Sequence, residues 1–119
     1  MLKNLARRIA AACLVATAAA SPAQTAAPLK VGFVYVSPIG EAGWTFQHDQ
    51  GRLQMQRALG ERVQTTVVEA VAEGADAERV MRDLARQGHR LIFATSFGYL
   101  EPALRVAAEF PQVRFEHAG

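Results

Sequence analysis

The chain has 119 residues, half of them apolar and a fifth charged, with a formal net charge of +2. That length holds one modest domain, and aromatic and β-branched residues are too frequent for a disordered chain. A single cysteine, Cys13, excludes a disulfide framework and any multi-cysteine zinc or iron–sulfur site.

The first residues carry Lys3, Arg7 and Arg8 with no acid, then the apolar stretch Ile9–Ala20, then Ser21-Pro22-Ala23. A basic start, a short apolar core and a small-residue end predict a secretory signal peptide over residues 1–23, cut after Ala23. The apolar core is about 12 residues, whereas a membrane span takes about 20. An N-terminal anchor is therefore the weaker reading, and no stable membrane insertion is expected once the leader is gone. Cys13 lies too early in the apolar core to be a lipid-attachment site. All three basic groups of the leader leave with it, so the remaining chain carries a net charge of −1. The basic balance belongs to the leader and gives no electrostatic footprint for nucleic acid. The mature chain has no cysteine, which suits an oxidising compartment.

Residues 24–29 read as a short linker, and residues 30–119 as one α/β domain. Leu29–Val36 is a nearly continuous apolar run rich in valine and aromatics, as expected of a strand buried on both faces of a parallel sheet. Thr65–Val71, Leu91–Thr95 and Val113–His117 have the same character. Between the first two runs, a less regular helical pattern spans about Gly43 to Leu59. Its expected inward stripe is Trp44, His48, Gly51, Met55, Ala58 and Leu59, with Gly51 allowing close approach to the sheet. Gly74–Gln87 is the clearest helix: Ala77, Val80, Met81, Leu84 and Ala85 form its apolar stripe, and Gly88 follows as a cap. Pro102 suits the first turn of a third helix and Pro111 ends it. The order βαβαβαβ predicts a parallel sheet with right-handed crossovers and helices on both faces.

In such a sheet, ligands bind beyond the carboxyl ends of the strands. That rule selects Ser37–Thr45, Ala72–Gly74 and Ser96–Tyr99. The first loop, with Gly40 and Gly43, matches neither the dinucleotide nor the P-loop glycine pattern, so it reads either as a plain turn or as a ligand loop. Trp44, the one tryptophan, either stacks on a flat ligand or packs over the sheet edge. Ser96, Phe97, Gly98 and Tyr99 place a hydroxyl, a permissive glycine and two aromatics at a strand end, which suits polar and stacking contacts with a small molecule. His48, His89 and His117 have no metal-ligand spacing, so no metal or other cofactor is expected. No G-x-S-x-G elbow or spaced carboxylate pair points to catalysis. An exported Rossmann-like enzyme fragment is the alternative, and it would need a phosphate loop or a nucleophile–base pair that the chain does not display. A sensory domain of the same fold would need a fused signalling segment.

The leader, KVGFVYVSPIGEAGWTFQHDQGR, EGADAERVMRDLARQGHRLIFATSFGY and FPQVRFEH, taken in that order, resemble the N-terminal lobe of the basic membrane protein family of periplasmic substrate-binding proteins. The similarity runs from about Lys30 to Gly119. It implies one lobe of a type I periplasmic binding protein, with the second lobe absent from this chain. It also implies a non-catalytic role: binding a purine base or nucleoside in the periplasm and delivering it to ABC permease subunits. In this family an aromatic in the first loop stacks on the base, and Trp44 holds that place, with Thr45 where asparagine is common. Ser96, Phe97 and Gly98 match the family's loop after the third strand. The implied ligand-binding set is therefore Ser37, Gly43, Trp44, Thr45, Ser96, Phe97, Gly98 and Tyr99. Nucleoside-binding members usually carry an aspartate near the end of the first strand, and Tyr35 stands at the matching position.

Overall fold

The structure, a computed structural model, describes Ser21 and residues 25–119. The expected leader, Ser21 apart, and its cleavage site after Ala23 lie outside the described residues. Four strands follow one another in the described chain: β1 (Leu29–Tyr35), β2 (Val63–Val68), β3 (Leu91–Thr95) and β4 (Arg114–His117). Three helices connect them: α1 (Trp44–Leu59), α2 (Ala75–Arg86) and α3 (Leu100–Glu109). The strands form one parallel sheet in the order β2-β1-β3-β4. The expected α/β architecture is thus the observed one.

β1 is central because its sequence lets it bury both faces. Its last five residues are buried, with Val31, Phe33 and Tyr35 on one face and Val34 on the other. It pairs with β2 from Leu29↔Val63 to Val34↔Val68, and with β3 from Val31↔Leu91 to Tyr35↔Thr95. α2 and α3 cover the Val34 face. Met81, Leu84, Val80, Ala103 and Val106 close over Ile92 and Ala94 there, each fully buried Val, Leu or Met side chain contributing about 1.5–3 kcal/mol. α1 covers the other face, where Met55 and Leu59 pack on Val31, Phe33 and Val63, and Phe93 stacks on Phe33 with ring centroids 4.8 Å apart. Helices on both faces follow from the alternation of β1.

The strand expected at Thr65–Val71 starts two residues earlier and ends three residues earlier. A 3-10 turn at Gly60–Arg62 delivers Val63 directly into the sheet. At its far end Glu69–Val71 peels away, although the Val71 N–H still donates to the Tyr35 carbonyl at 2.9 Å.

α1 differs from its expected orientation. Trp44, Gly51 and Ala58 of the anticipated inward stripe are exposed, and only Met55, Leu59 and part of His48 turn towards the sheet. The buried residues of the helix are Thr45 and Asp49. Gly51 meets nothing that a side chain would disturb; the close approach to a helix occurs at Gly32, where a Cβ would lie 3.0 Å from Leu84 Cδ1. The reason is a polar underside. The Tyr35 hydroxyl donates to Asp49 at 3.2 Å, and Arg52 Nε donates to the same carboxylate oxygen at 2.6 Å. Arg52 also reaches the Thr65 hydroxyl at 3.1 Å, which in turn donates to Gln56 at 3.0 Å. Residues 45, 49, 52 and 56 thus form a helical stripe of polar groups, Asp49 bonded to Arg52 and the stripe bonded to Ser37, Tyr35 and Thr65 outside the helix. Burial and the Asp49 charge push the Tyr35 phenol up, so it stays a donor.

Candidate ligand-binding site

The strand order reverses between β1 and β3. After β1 the chain turns to the α1 face, and after β3 it turns to the α3 face, leaving a crevice at the carboxyl ends of these two strands. Gly43 enters α1 with φ 92°, a left-handed conformation that glycine adopts without strain. This turn sets Trp44 at the mouth of the crevice. Its indole N–H donates to the Thr95 carbonyl at 2.8 Å, while 53% of the residue remains exposed. The indole is pinned across the switch point with a face in solvent. His48, one helical turn on, meets the ring edge-on at a centroid distance of 4.7 Å. Burial pushes its imidazole below the ordinary value. Gly43, Trp44, Gln47 and His48 line a concavity of about 500 Å³.

The remaining anticipated residues divide by environment. Ser37 and Thr45 share a hydrogen bond of 2.7 Å that ties the first loop to the first turn of α1, and Thr45 is buried. Ser96 is buried and donates to Glu73 at 2.6 Å. Phe97 stands beside it, 82% exposed, in a 3-10 turn spanning Phe97–Tyr99. Gly98 donates its N–H to Glu73 at 3.0 Å. Tyr99 is corrected: its side chain is fully buried in the core under α3, and its hydroxyl donates to the Val71 carbonyl at 2.6 Å. Burial, then the nearby Glu73 charge, pushes its phenol up to about 12, so it packs rather than faces the mouth. Tyr35 points beneath α1, away from the crevice.

Sequence reasoning missed three groups at this edge. Glu73 bridges the loop after β2 to the loop after β3, and its partner bonds hold its carboxyl below the usual range. Glu69 accepts the Ile39 N–H at 2.7 Å, fixing the first loop from the β2 side. His117, at the end of β4, bonds the Ser96 carbonyl at 2.9 Å. Glu73 lies within the selected Ala72–Gly74 loop, but its partners are more than 20 residues away, and no local pattern announces them. Among the described residues, no cluster of His, Cys, Asp and Glu could hold a metal ion, and no helix is long and apolar enough to cross a membrane. A larger concavity, about 670 Å³, lies elsewhere, between Thr25–Pro28 and the amino end of β2. The candidate site is placed at the switch point, where the concavity at Trp44 is tied to the end of β3 by the bond from the indole to Thr95.

A half-exposed indole and an exposed second aromatic thus stand at the carboxyl ends of β1 and β3, the place where parallel α/β sheets bind ligands. Residues 29–118 match the family described as ABC transporter substrate-binding protein, PnrA-like (Bmp), and the chain belongs to this family. It is 59% identical over 90 residues to a purine-binding protein of Brucella abortus, covering 76% of this chain and 26% of that protein. It is 39% identical over 90 residues to a putative ABC transporter glucose-binding protein of Haloferax volcanii, covering 76% and 22%. An ABC transporter solute-binding protein from Conexibacter woesei superposes with a TM-score of 0.65 at 26% identity, over 73% of this chain and 28% of that one. The chain spans about a quarter of the length of the curated relatives it matches.

Proposed function

We propose that this chain is the ligand-recognising lobe of a periplasmic substrate-binding protein, exported by a leader over residues 1–23, that feeds an ABC permease. Its ligand is a purine base or nucleoside, bound without chemical change. The observation that carries the reading is Trp44: the indole edge is hydrogen-bonded to Thr95, so its orientation is fixed, while half of the residue faces solvent. A preset aromatic face stacks on a planar heterocycle for about 1–3 kcal/mol. Phe97 offers a second face across the strand ends, and Ser37, Gly43, Thr45, Ser96 and Gly98 shape the mouth between them. The purine-binding relative from Brucella supports the ligand class, and the family supports a non-catalytic role.

Trp44 is the sole tryptophan, so its fluorescence reads this site alone. Inosine should quench it saturably, with a dissociation constant of about millimolar or weaker, as expected of a ligand stacked on one open face. Glucose should leave the emission unchanged. Saturable quenching by glucose and none by inosine would replace the purine with a sugar.

A further inference from the structure

Phe97 is an oddity of this surface. Aromatic side chains are seldom left 82% exposed, and this one sits on a turn whose two flanking residues are both fastened. The fastener is a single atom. Glu73 Oε1 accepts the Ser96 hydroxyl at 2.6 Å and the Gly98 N–H at 3.0 Å, so the carboxylate brackets Phe97 from both sides. The fit also explains Gly98. A Cβ there would lie 2.2–2.6 Å from the Glu73 carboxylate atoms, too close for any side chain to coexist with the bracket. The far side of the turn is fixed as well: His117 bonds the Ser96 carbonyl and Tyr99 is anchored in the core. Without Glu73, the turn keeps its own bond from the Tyr99 N–H to the Ser96 carbonyl at 3.0 Å but loses both side bonds that flank Phe97.

We infer that Glu73 is a positioning residue of the binding site: it holds the Ser96–Gly98 turn so that Phe97 is presented to the ligand in a fixed orientation. Charge-assisted bonds to one carboxylate are the strong kind, and a preorganised aromatic avoids the cost of ordering it on binding. The role of Phe97 rests on the purine reading above, whereas the bracket itself can be tested without ligand.

Two measurements on the full chain decide it. In the free protein, amide exchange at Gly98 should accelerate about tenfold in Glu73→Ala, as expected for the loss of a charge-assisted bond. It should fall back most of the way towards the parent rate in Glu73→Gln, whose amide oxygen can accept both bonds without the charge. Gly98→Ala, which fills the space of the carboxylate, should behave like Glu73→Ala, while the Ile92 and Ala94 amides of β3 exchange unchanged in every variant. In inosine titrations followed by Trp44 emission, Glu73→Ala and Phe97→Ala should each weaken binding by about threefold or more. The double variant should bind no more weakly than Phe97→Ala alone, because Glu73 acts through Phe97. Unchanged Gly98 exchange in Glu73→Ala, or fully additive losses of affinity, would overturn the inference. If the parent chain gives no response to inosine, the purine reading fails and Gly98 exchange alone decides whether Glu73 holds the turn.

Discussion

Trp44 combines two roles that a sequence cannot separate. Its indole N–H ties α1 to the end of β3, and its ring offers a face to solvent. The two can be divided by substitution. Trp44→Phe keeps an aromatic face and loses the bond to Thr95, whose net worth is about 0.5–1.5 kcal/mol. Trp44→Ala loses both. We expect the two variants to melt within about 2 kcal/mol of the parent, since a half-exposed ring leaves no large cavity. A loss of about 3–5 kcal/mol on thermal melting of Trp44→Ala would mark a core residue instead. With stability nearly intact, inosine affinity measured by calorimetry should fall in Trp44→Ala and be largely kept in Trp44→Phe.

At the scale of elements, α1 is held by its polar underside. Asp49 is the hub: it accepts from Tyr35 and Arg52, and both carboxylate and guanidinium are largely shielded, with 6% and 16% of their side chains exposed. Replacing Asp49 by Leu leaves Arg52 uncompensated in that shielded position, and denaturant titration should show a loss of about 3 kcal/mol or more. Asp49→Asn retains an acceptor and should cost less. A Leu variant as stable as the parent would show that α1 is held by Met55 and Leu59 alone. This helix also marks the limit of what the sequence discloses. α2 was readable because Ala77, Val80, Met81, Leu84 and Ala85 repeat at helical spacing, and β3 because its apolar run is bounded by Arg90 and Ser96. The inward face of α1 is written in Thr45, Asp49, Arg52 and Gln56, whose burial depends on partners in β1 and β2. A reading by hydrophobicity assigns such residues to solvent. The candidate site was legible only in outline: the strand-end loops followed from topology and the choice of Trp44 from a family resemblance, whereas the Glu73 bracket and the buried Tyr99 depend on contacts between distant segments.

At the scale of the whole molecule, the sheet carries one built-in acid sensitivity. His89 is buried between the turn after α2 and β2, with Nδ1 on the Leu84 carbonyl and Nε2 on the Thr66 hydroxyl, each at 2.8 Å. Burial pushes its imidazole down, against the backbone bond to Leu84, and Lys30 nearby pushes the same way. The neutral ring is thus the folded form, and unfolding raises its affinity for protons. Its contribution to stability is complete above the ordinary imidazole value of about 6.5 and is lost as pH falls towards the lowered folded value. Urea midpoints should therefore decline from pH 7 to pH 5, and the decline should be shallower in His89→Asn, with the residual slope belonging in part to His48. An equal slope in parent and variant would remove His89 from this role. The central claim concerns where the ligand sits, and one experiment addresses it most directly: ¹H–¹⁵N spectra of the chain titrated with inosine. The account predicts shifts concentrated on the Trp44 indole N–H and on the amides of Thr45, Phe97 and Gly98 at the carboxyl ends of β1 and β3. Shifts confined to Thr25–Ala27, Gly60 and Gln64, in the larger concavity at the amino end of β2, would contradict it.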